Sequence, residues 1–273
     1  KFDAFPVKGY SLNSKLFSVS DCQAIIKKAV VERLKEKYGI SWFDETGALH
    51  QIQFSIMKDM VTVFIDTSGA GLHKRGYRPV SNSAPIKETL AAAMAELARL
   101  RHYHTLYDVT CGSGTILIEG AMKALNIAPG LKRSFISERF ENIDSSVWQQ
   151  ERMRATDAVI QDADFMAYGS DIDFNALQIA RENARRAGVG MKIDLSKKDL
   201  KDFTRKSEKG TVICNPPYGE RMLDIQAAEE IYRTMGKIFN PERGWAYYII
   251  SPDEEFEKCF GRKADKRRKL YNG

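Results

Sequence analysis

The chain has 273 residues, of which 43% are hydrophobic and 29% are charged, and its formal net charge is +6. This composition is typical of a globular protein with room for one large domain or two smaller ones. No apolar run is long enough to span a bilayer and no signal peptide is visible, so we predict no membrane partner. The basic balance permits a polyanionic partner such as nucleic acid.

The cysteines indicate the redox compartment of the protein, and the first residue indicates whether the sequence is a fragment. The four cysteines are far apart and form no Cys-x-x-Cys or Cys/His cluster. We therefore predict no disulfide, no metal and a reducing, cytoplasmic location. The chain begins with Lys1 rather than Met. We expect a fragment of a longer protein that lacks an N-terminal piece and a last C-terminal strand.

The first 66 residues have the pattern of a small α/β module. The segment Ser20–Tyr38 predicts an amphipathic helix with Ser20 as its cap, ended by Gly39. Two alternating runs, Gln51–Met57 and Met60–Asp66, predict a half-buried β-hairpin. The lysines of this module fit an RNA-binding surface or merely a solvated face.

A glycine-rich segment follows, and we predict a linker over residues 69–83. It interleaves basic and aromatic residues that could bind phosphates and stack a base of RNA, namely Lys74, Arg75, Tyr77 and Arg78. A loop with solvated charges explains the same local pattern. The next predicted element is a helix over Ala84–Leu100, capped by Ser83.

From residue 84 onward, strand and helix patterns alternate. The predicted strands are Leu106–Thr110, Ala167–Asp171, Lys192–Leu195, Thr211–Cys214 and Trp245–Ile250. The predicted helices are Ile116–Leu125, Phe174–Ala187 and one that carries Tyr232 and Phe239. This alternation predicts an α/β fold with a doubly wound, mostly parallel sheet. An insert at residues 126–165 interrupts it, with a predicted helix over Ser146–Ile160 that could overhang a site or simply pack.

The turn Asp108–Thr115 is glycine-rich and joins a strand to a helix. Glycines there allow a ligand to approach the backbone, and the helix N-terminus favours an anionic group. A dinucleotide-binding oxidoreductase is disfavoured. Its fingerprint needs a small residue where Leu117 stands, and the acid Asp171 comes 57 positions after Gly114, which is too far.

Acidic residues follow the next two predicted strands. Asp171 is placed to accept both hydroxyls of a ribose, and Asp199 to bind an adenine amine while Leu200 covers the ring. Asp108 would lie near the amine of the ligand. Each aspartate alone is better explained as a helix cap or a surface charge. Their order along the chain, with the glycine loop before them and Asn-Pro-Pro-Tyr after them, specifies S-adenosylmethionine.

The stretch Asn215-Pro216-Pro217-Tyr218 follows a strand that two prolines cannot continue, because neither has an N–H to donate. The Asn215 side-chain oxygen and the Pro216 carbonyl can hold both N–H bonds of an exocyclic amine, while Pro217 restricts the direction of that carbonyl. Tyr218 offers a ring for a flipped base. The motif predicts amine methylation by positioning. A Pro-Pro turn at a strand end is the alternative.

Several stretches resemble the THUMP-domain RNA guanine-N2 methyltransferases of the RlmL type, whose larger domain is a Rossmann-like class I S-adenosylmethionine-dependent methyltransferase. They are Asp66–Arg78, Ala84–Leu90, Asp108–Thr115, Ala128–Gly130, Asn215–Arg221 and Arg267–Gly273. Val109 departs from the family, where proline is common. The resemblance implies a THUMP-type RNA-binding module over residues 1–68 and a methyltransferase domain over 84–273.

The resemblance also implies S-adenosylmethionine as cofactor and RNA, most often 23S ribosomal RNA, as partner. The donor pocket would be formed by Lys87, Glu88, Thr89, Asp108, Thr110, Cys111, Gly112, Ser113, Gly114, Thr115, Asp171, Ile172, Asp173, Asp199, Leu200 and Asn215. Arg221 is placed to meet an RNA phosphate or, equally, to form a surface ion pair.

Three other functions remain open on the sequence. A DNA adenine-N6 methyltransferase would use the same Asn-Pro-Pro-Tyr loop. A non-catalytic RNA-binding or ribosome assembly factor would keep the fold without the reaction. Methylation of a pyrimidine carbon through Cys214 is disfavoured, because this cysteine lies inside a strand without an activating partner in sequence.

Overall fold

The computed structural model describes residues 2–78, 86–218 and 222–271. It divides into two compact units, the first made of residues 1–72 and 134–151 and the second of residues 73–133 and 152–273. The middle of the insert predicted at 126–165 thus groups with the N-terminal module. The sequence did not indicate this grouping.

The first unit contains a three-stranded sheet and one long helix. The strands are β1 (Val7–Leu12), β2 (Ile52–Met57) and β3 (Met60–Ile65), and the helix is α1 (Val19–Tyr38). Strand β2 is central, parallel to β1 and antiparallel to β3. The hairpin was predicted but β1 was not, because a glycine interrupts its short alternating pattern.

The ends and faces of these elements differ in part from the prediction. Helix α1 ends at Gly39 (φ 65°) as predicted, but its N-cap is Ser18, whose hydroxyl accepts a hydrogen bond from the Asp21 N–H, and not Ser20. The predicted half burial of the hairpin is confirmed for β2, where Phe54 is buried against α1, and is wrong for β3, all of whose residues are exposed. The helix covers the β2 part of the sheet and leaves β3 open.

Residues 134–151 belong to the first unit through specific contacts. The Ser137 hydroxyl donates to the Thr67 carbonyl at 2.8 Å, and the Phe140 ring stacks on His50 with 4.2 Å between centroids. The helix predicted in the insert is present as α4 (Ser145–Asp157). The contacts of Ser137 and Phe140 explain why this part of the insert groups with the first unit.

The second unit is built on a five-stranded sheet. Its strands are β4 (Thr105–Asp108), β5 (Met166–Asp171), β6 (Ile193–Lys197), β7 (Gly210–Cys214) and β8 (Trp245–Ile249). Its remaining helices are α2 (Glu88–Leu97), α3 (Thr115–Ala124), α5 (Phe174–Ala187), α6 (Met222–Ile238) and α7 (Phe256–Phe260). All strand pairs in this sheet are parallel.

The strand order β6-β5-β4-β7-β8 confirms the doubly wound topology. The chain builds outward from β4 to β6, then returns to the other side of β4 with β7 and β8. Leu106 and Ile213 face a core shared with α2, α3 and α5, whereas Tyr107 and Val212 face a core shared with α6. The order reverses between β4 and β7, which is where open α/β sheets bind ligands at the carboxyl ends of the strands.

The observed ends of the helices can be compared with the predicted capping residues. Helix α5 has the predicted ends: the Asp173 carboxylate accepts the Asn175 N–H at 2.8 Å, and Gly188 closes the helix at φ 83°. Helix α2 is shorter than predicted. Lys87 is its N-cap, and the predicted cap Ser83 lies outside the described residues. In the described ranges, no helix is long and apolar enough to cross a membrane.

Candidate active site

The predicted site loops all follow the carboxyl ends of strands in the parallel sheet. The glycine-rich turn comes after β4 and Asn215 comes directly after β7. These two strands are neighbours, with Leu106 opposite Thr211 and Tyr107 opposite Val212. Asp171 ends β5, next to β4 on the other side. The two most informative motifs therefore flank the switch point of the sheet.

Glycine is required at two positions of the loop, 112 and 114, for different structural reasons. Both have left-handed backbones, with φ 50° at Gly112 and 79° at Gly114. A Cβ on Gly114 would lie 3.0 Å from the Cβ of Ala180 in α5, whereas a Cβ on Gly112 would meet no atom within 4 Å. Gly114 therefore lets α5 pack closely, and Gly112 leaves open space where a ligand can reach the backbone.

Helix α5 also holds the loop through a side chain that the sequence analysis missed. The buried Asn183 donates from Nδ2 to the Ser113 carbonyl at 3.1 Å. A signal was available, because this asparagine falls on the apolar face of α5 with Ala180 and Ala184. A polar side chain on such a face needs a partner.

Asp171 is fixed by backbone donors from two loops. Its Oδ2 accepts the Gly112 N–H at 2.8 Å and its Oδ1 accepts the Asp173 N–H at 2.9 Å. Each carboxylate oxygen keeps a lone pair, and the residue is only partly buried, so both oxygens can accept ribose hydroxyls. The following Ile172 is 67% exposed and available to cover a flat ring.

Asp108 lies in a different environment from Asp171. It is 1% exposed, and burial raises its pKa to about 8, although the Thr110 N–H donates to Oδ1 at 3.2 Å and favours the ionised form. The charge of Asp171 raises the pKa further. The Thr110 hydroxyl is buried without a partner among the described residues. The Asp108 carboxyl and the Thr110 hydroxyl can therefore form further hydrogen bonds, which fits a polar ligand in the crevice.

The Asp199-Leu200 pair begins a short helical turn after β6. The Asp199 carboxylate accepts the Lys201 N–H at 3.0 Å, and this bond lowers its pKa. Leu200 is 8% exposed and packs in the core on the α6 side of the sheet. The aspartate is thus a cap as well as a strand-end acid, and Leu200 has little surface left for a ligand.

The Asn-Pro-Pro-Tyr stretch leaves the sheet as predicted. The Ile250 N–H donates to the Cys214 carbonyl at 3.2 Å, the last bond between β7 and the strand beside it. Beyond it Asn215 is partly exposed, Pro216 is buried, and Pro217 and Tyr218 are exposed. The predicted phosphate contact Arg221 lies outside the described residues.

A covalent route through Cys214 finds little support. Cys214 is fully buried, and burial raises the pKa of its thiol well above the ordinary value, which disfavours a thiolate nucleophile. Within residues 2–78, 86–218 and 222–271, no three His, Cys, Asp or Glu side chains are grouped as metal ligands.

The predicted RNA contacts in the linker need correction. Tyr77 is 1% exposed and donates from its hydroxyl to Glu119 Oε1 at 2.8 Å, so it cannot stack a base. The Arg75 guanidinium is bonded to the same carboxylate. Arg78 is paired with Glu88 at 3.0 Å. Both arginines are almost fully covered, so the prediction that they bind phosphates is wrong, and of the four residues only Lys74 is exposed.

The carboxylates that hold these arginines were visible in the sequence. Glu119 stands in the run Ile116-Leu117-Ile118-Glu119, where helix α3 is buried on all sides. Burial raises the pKa of Glu119 to about 7, whereas Arg75 and Tyr77 stabilise its ionised form. Glu88, predicted in the donor pocket, is also buried, while its neighbour Thr89 is exposed. A buried carboxylate requires a donor, and the linker supplies it.

Comparison with known proteins identifies the fold. Residues 75–273 match the model of the RMKL-like methyltransferase domain, UPF0020, and residues 1–66 match the THUMP domain. The chain belongs to the RMKL-like methyltransferase family. This confirms the family resemblance drawn from the motifs, including the THUMP domain that precedes the methyltransferase domain.

Individual relatives agree with this family. The chain is 46% identical over 271 residues to "Putative RNA methyltransferase YpsC" of Bacillus subtilis, covering 98% of this chain and 70% of that protein. It is 37% identical over 261 residues to "Ribosomal RNA large subunit methyltransferase K/L" of Psychromonas ingrahamii, covering 91% of this chain but 34% of that protein. The chain therefore spans only about a third of that longer relative.

A solved structure is similar over the whole chain. The crystal structure of "SMU.472, a putative methyltransferase complexed with SAH" is 41% identical, with a TM-score of 0.90. The match covers 100% of this chain and 72% of that one. The similarity confirms the Rossmann-like methyltransferase fold together with the N-terminal module.

Proposed function

We propose that this protein transfers a methyl group from S-adenosylmethionine to the N2 amine of a guanine in structured RNA, with 23S ribosomal RNA as the substrate. The main supporting observation is that the glycine loop after β4 and the Asn-Pro-Pro-Tyr loop after β7 flank one switch point. The similarity to an RNA methyltransferase, to a ribosomal RNA methyltransferase and to a methyltransferase crystallised with SAH supports the donor and the substrate class.

The donor would lie against the loop after β4. Asp171 would accept the ribose hydroxyls and Gly112 would leave backbone open to the donor. The Thr110 hydroxyl, which has no partner among the described residues, and the Asp108 carboxyl would bind the polar end. Ile172 covers the adenine ring. S-adenosylmethionine supplies the electrophilic methyl group. These groups of the chain bind and orient the donor and need no metal.

The accepting base would lie against the loop after β7. The Asn215 side-chain oxygen and the Pro216 carbonyl accept hydrogen bonds from the amine and turn its lone pair toward the methyl carbon. Tyr218, which is 41% exposed, stacks on the base. The amine nitrogen forms the new bond to carbon as the sulfur–carbon bond breaks, and the methylated amine then releases one proton to water.

The remainder of the chain would hold the RNA. We assign the RNA-binding module to residues 1–68, the linker to 69–83 and the catalytic domain to 84–273. The match of residues 1–66 to the THUMP domain supports the first assignment. The exposed Lys74, together with Arg221, would contact phosphates of the RNA.

The test is methyl incorporation from labelled S-adenosylmethionine into unmodified ribosomal RNA. Asn215→Ala should lower the rate by about a hundredfold, as expected for loss of one positioning group at the reacting atom, while S-adenosylhomocysteine binding is retained. Asn175→Ala, at an exposed position of α5, is the matched control and should leave the rate unchanged. Undiminished turnover in Asn215→Ala would refute the assigned role.

A further inference from the structure

Arg78, in the linker, donates hydrogen bonds to the start of α2 and to the start of α3. Its Nη1 donates to the Ile86 carbonyl at 3.2 Å and to the Thr115 hydroxyl at 3.1 Å, and its Nη2 donates to Glu88 Oε2 at 3.0 Å. The side chains of Arg78 and Glu88 are only 10% and 4% exposed. A planar guanidinium with several partners fixes their relative positions more strictly than a point charge would.

The partners of Arg78 lie beside the proposed donor pocket. Ile86 and Glu88 are at the start of α2, next to the N-cap Lys87. Thr115 is the first residue of α3 and follows the glycine loop directly. Arg78 therefore sets the distance between two helix N-termini, one of which carries the loop where the donor would bind.

We infer that Arg78 is a positioning residue for the methyl donor, which holds the start of α2 against the start of α3 and makes no contact with RNA. This inference rests on the proposed use of S-adenosylmethionine. It replaces the phosphate-binding role that the linker sequence suggested. Because Arg78 acts through Glu88 and Thr115, its loss should change donor affinity more than RNA affinity.

Arg75 offers a matched control in the same linker. Its side chain is 9% exposed and forms a buried ion pair with Glu119, much as Arg78 does with Glu88. Glu119 lies about one helical turn beyond Thr115 in α3, and among the described residues its carboxylate accepts hydrogen bonds from Arg75 and Tyr77. Loss of the Arg75 pair should therefore lower stability without loosening the donor pocket.

The experiment compares Arg78→Gln, Arg78→Lys and Arg75→Gln in the full chain. S-adenosylhomocysteine binding is measured by calorimetry, thermal unfolding by fluorescence, and affinity for an unmodified large-subunit ribosomal RNA transcript by filter binding. Arg78→Gln should weaken S-adenosylhomocysteine binding about tenfold, the loss expected for a charged hydrogen bond, and Arg75→Gln by less than about twofold. The S-adenosylhomocysteine affinity of Arg78→Lys should lie between those of Arg78→Gln and Arg75→Gln, because a lysine keeps the charge but not the planar guanidinium.

Equal loss of S-adenosylhomocysteine affinity in Arg78→Gln and Arg75→Gln would overturn the inference, since both would then act through stability alone. A loss of RNA affinity confined to the Arg78 variants would overturn it in favour of a phosphate contact. If Arg78→Gln does not fold, Arg78→Lys and Glu88→Gln decide between the same outcomes. A wild-type protein that binds no S-adenosylhomocysteine would instead refute the proposed function.

Discussion

Asp108 and Asp171 have the same side chain but differ in burial and in hydrogen bonding, so we expect them to have different roles. Asp171 accepts hydrogen bonds from two backbone N–H groups at the edge of the crevice, and its remaining lone pairs suit it to accept hydrogen bonds from hydroxyl groups. Asp108 is buried with one such bond, and its pKa is raised to about 8. Burial therefore favours the protonated form of the Asp108 carboxyl up to a pKa of about 8.

The raised pKa of Asp108 predicts a pH-dependent stability. An unfolded aspartate has a pKa near 3.9, so between that value and about 8 the folded state binds the extra proton. The free energy of unfolding should therefore fall as pH rises through this window. Asp108→Asn removes the effect and should stabilise the protein at pH 8 by on the order of a few kcal/mol, with a smaller gain at pH 5.

Denaturant unfolding at the two pH values measures this difference. Asp202→Asn, which makes the same substitution at an exposed position, is the control. An Asp108→Asn protein no more stable than wild type at pH 8 would contradict the assigned environment.

Tyr218 tests the proposed stacking of the base. Tyr218→Phe keeps the ring and should retain most of kcat/KM for RNA, whereas Tyr218→Ala should lose about 10- to 100-fold, the contribution of one stacked base. Tyr271→Ala, at a position that is 74% exposed, should have no such effect. If the phenylalanine and alanine variants lose activity equally, the hydroxyl matters and stacking is not the role of this residue.

At the scale of elements, the glycine loop depends on the helix behind it. Gly114 combines φ 79° with close contact to Ala180, whereas Gly112 has φ 50° and open space. A side chain at either position is strained, but only the one at Gly114 also pushes α5 away.

Gly114→Ala should therefore destabilise the protein more than Gly112→Ala, with the strain itself worth about 1–3 kcal/mol in each. Gly112→Ala should act mainly on donor affinity, because its Cβ enters space proposed for the ligand. Thermal unfolding and S-adenosylhomocysteine titration of both variants separate the two effects. Equal destabilisation by both would show that the contact with Ala180 is not limiting.

The elements that the sequence predicted well are those with local signals. Asp173 and Gly188 mark both ends of α5 because a cap and a left-handed glycine act within one turn. The local pattern did not distinguish Ser18 from Ser20, two residues of equal capping ability, and the structure has Ser18 as the N-cap of α1.

The failures of prediction at the site have a common cause. The linker residues Arg75, Tyr77 and Arg78 look like an RNA-binding surface by composition, yet buried carboxylates on α2 and α3 bind them. The partner of Arg75 and Tyr77 lies 42 or more positions away and that of Arg78 lies ten positions away, and pairing at these separations has no local sequence pattern. The strand-end loops were predictable because parallel strands bring their carboxyl ends to one edge.

At the scale of the whole molecule, a THUMP domain and an RMKL-like methyltransferase domain occur in one chain. A catalytic domain alone would meet many exposed amines, and an attached RNA-binding module would raise the local concentration of one target. Removal of residues 1–68 should therefore raise KM for ribosomal RNA far more than it lowers S-adenosylhomocysteine affinity. A donor affinity that falls in parallel would show that the module is needed for folding of the site.

The identity of the methylated atom decides between the proposed function and its alternatives. Unmodified ribosomal RNA is incubated with the protein and S-adenosylmethionine, digested to nucleosides and analysed by mass spectrometry beside duplex DNA treated in the same way. The proposed function predicts N2-methylguanosine from the RNA and no product from the DNA. N6-methyladenine in the DNA, or no methylated nucleoside in either despite donor binding, would contradict it.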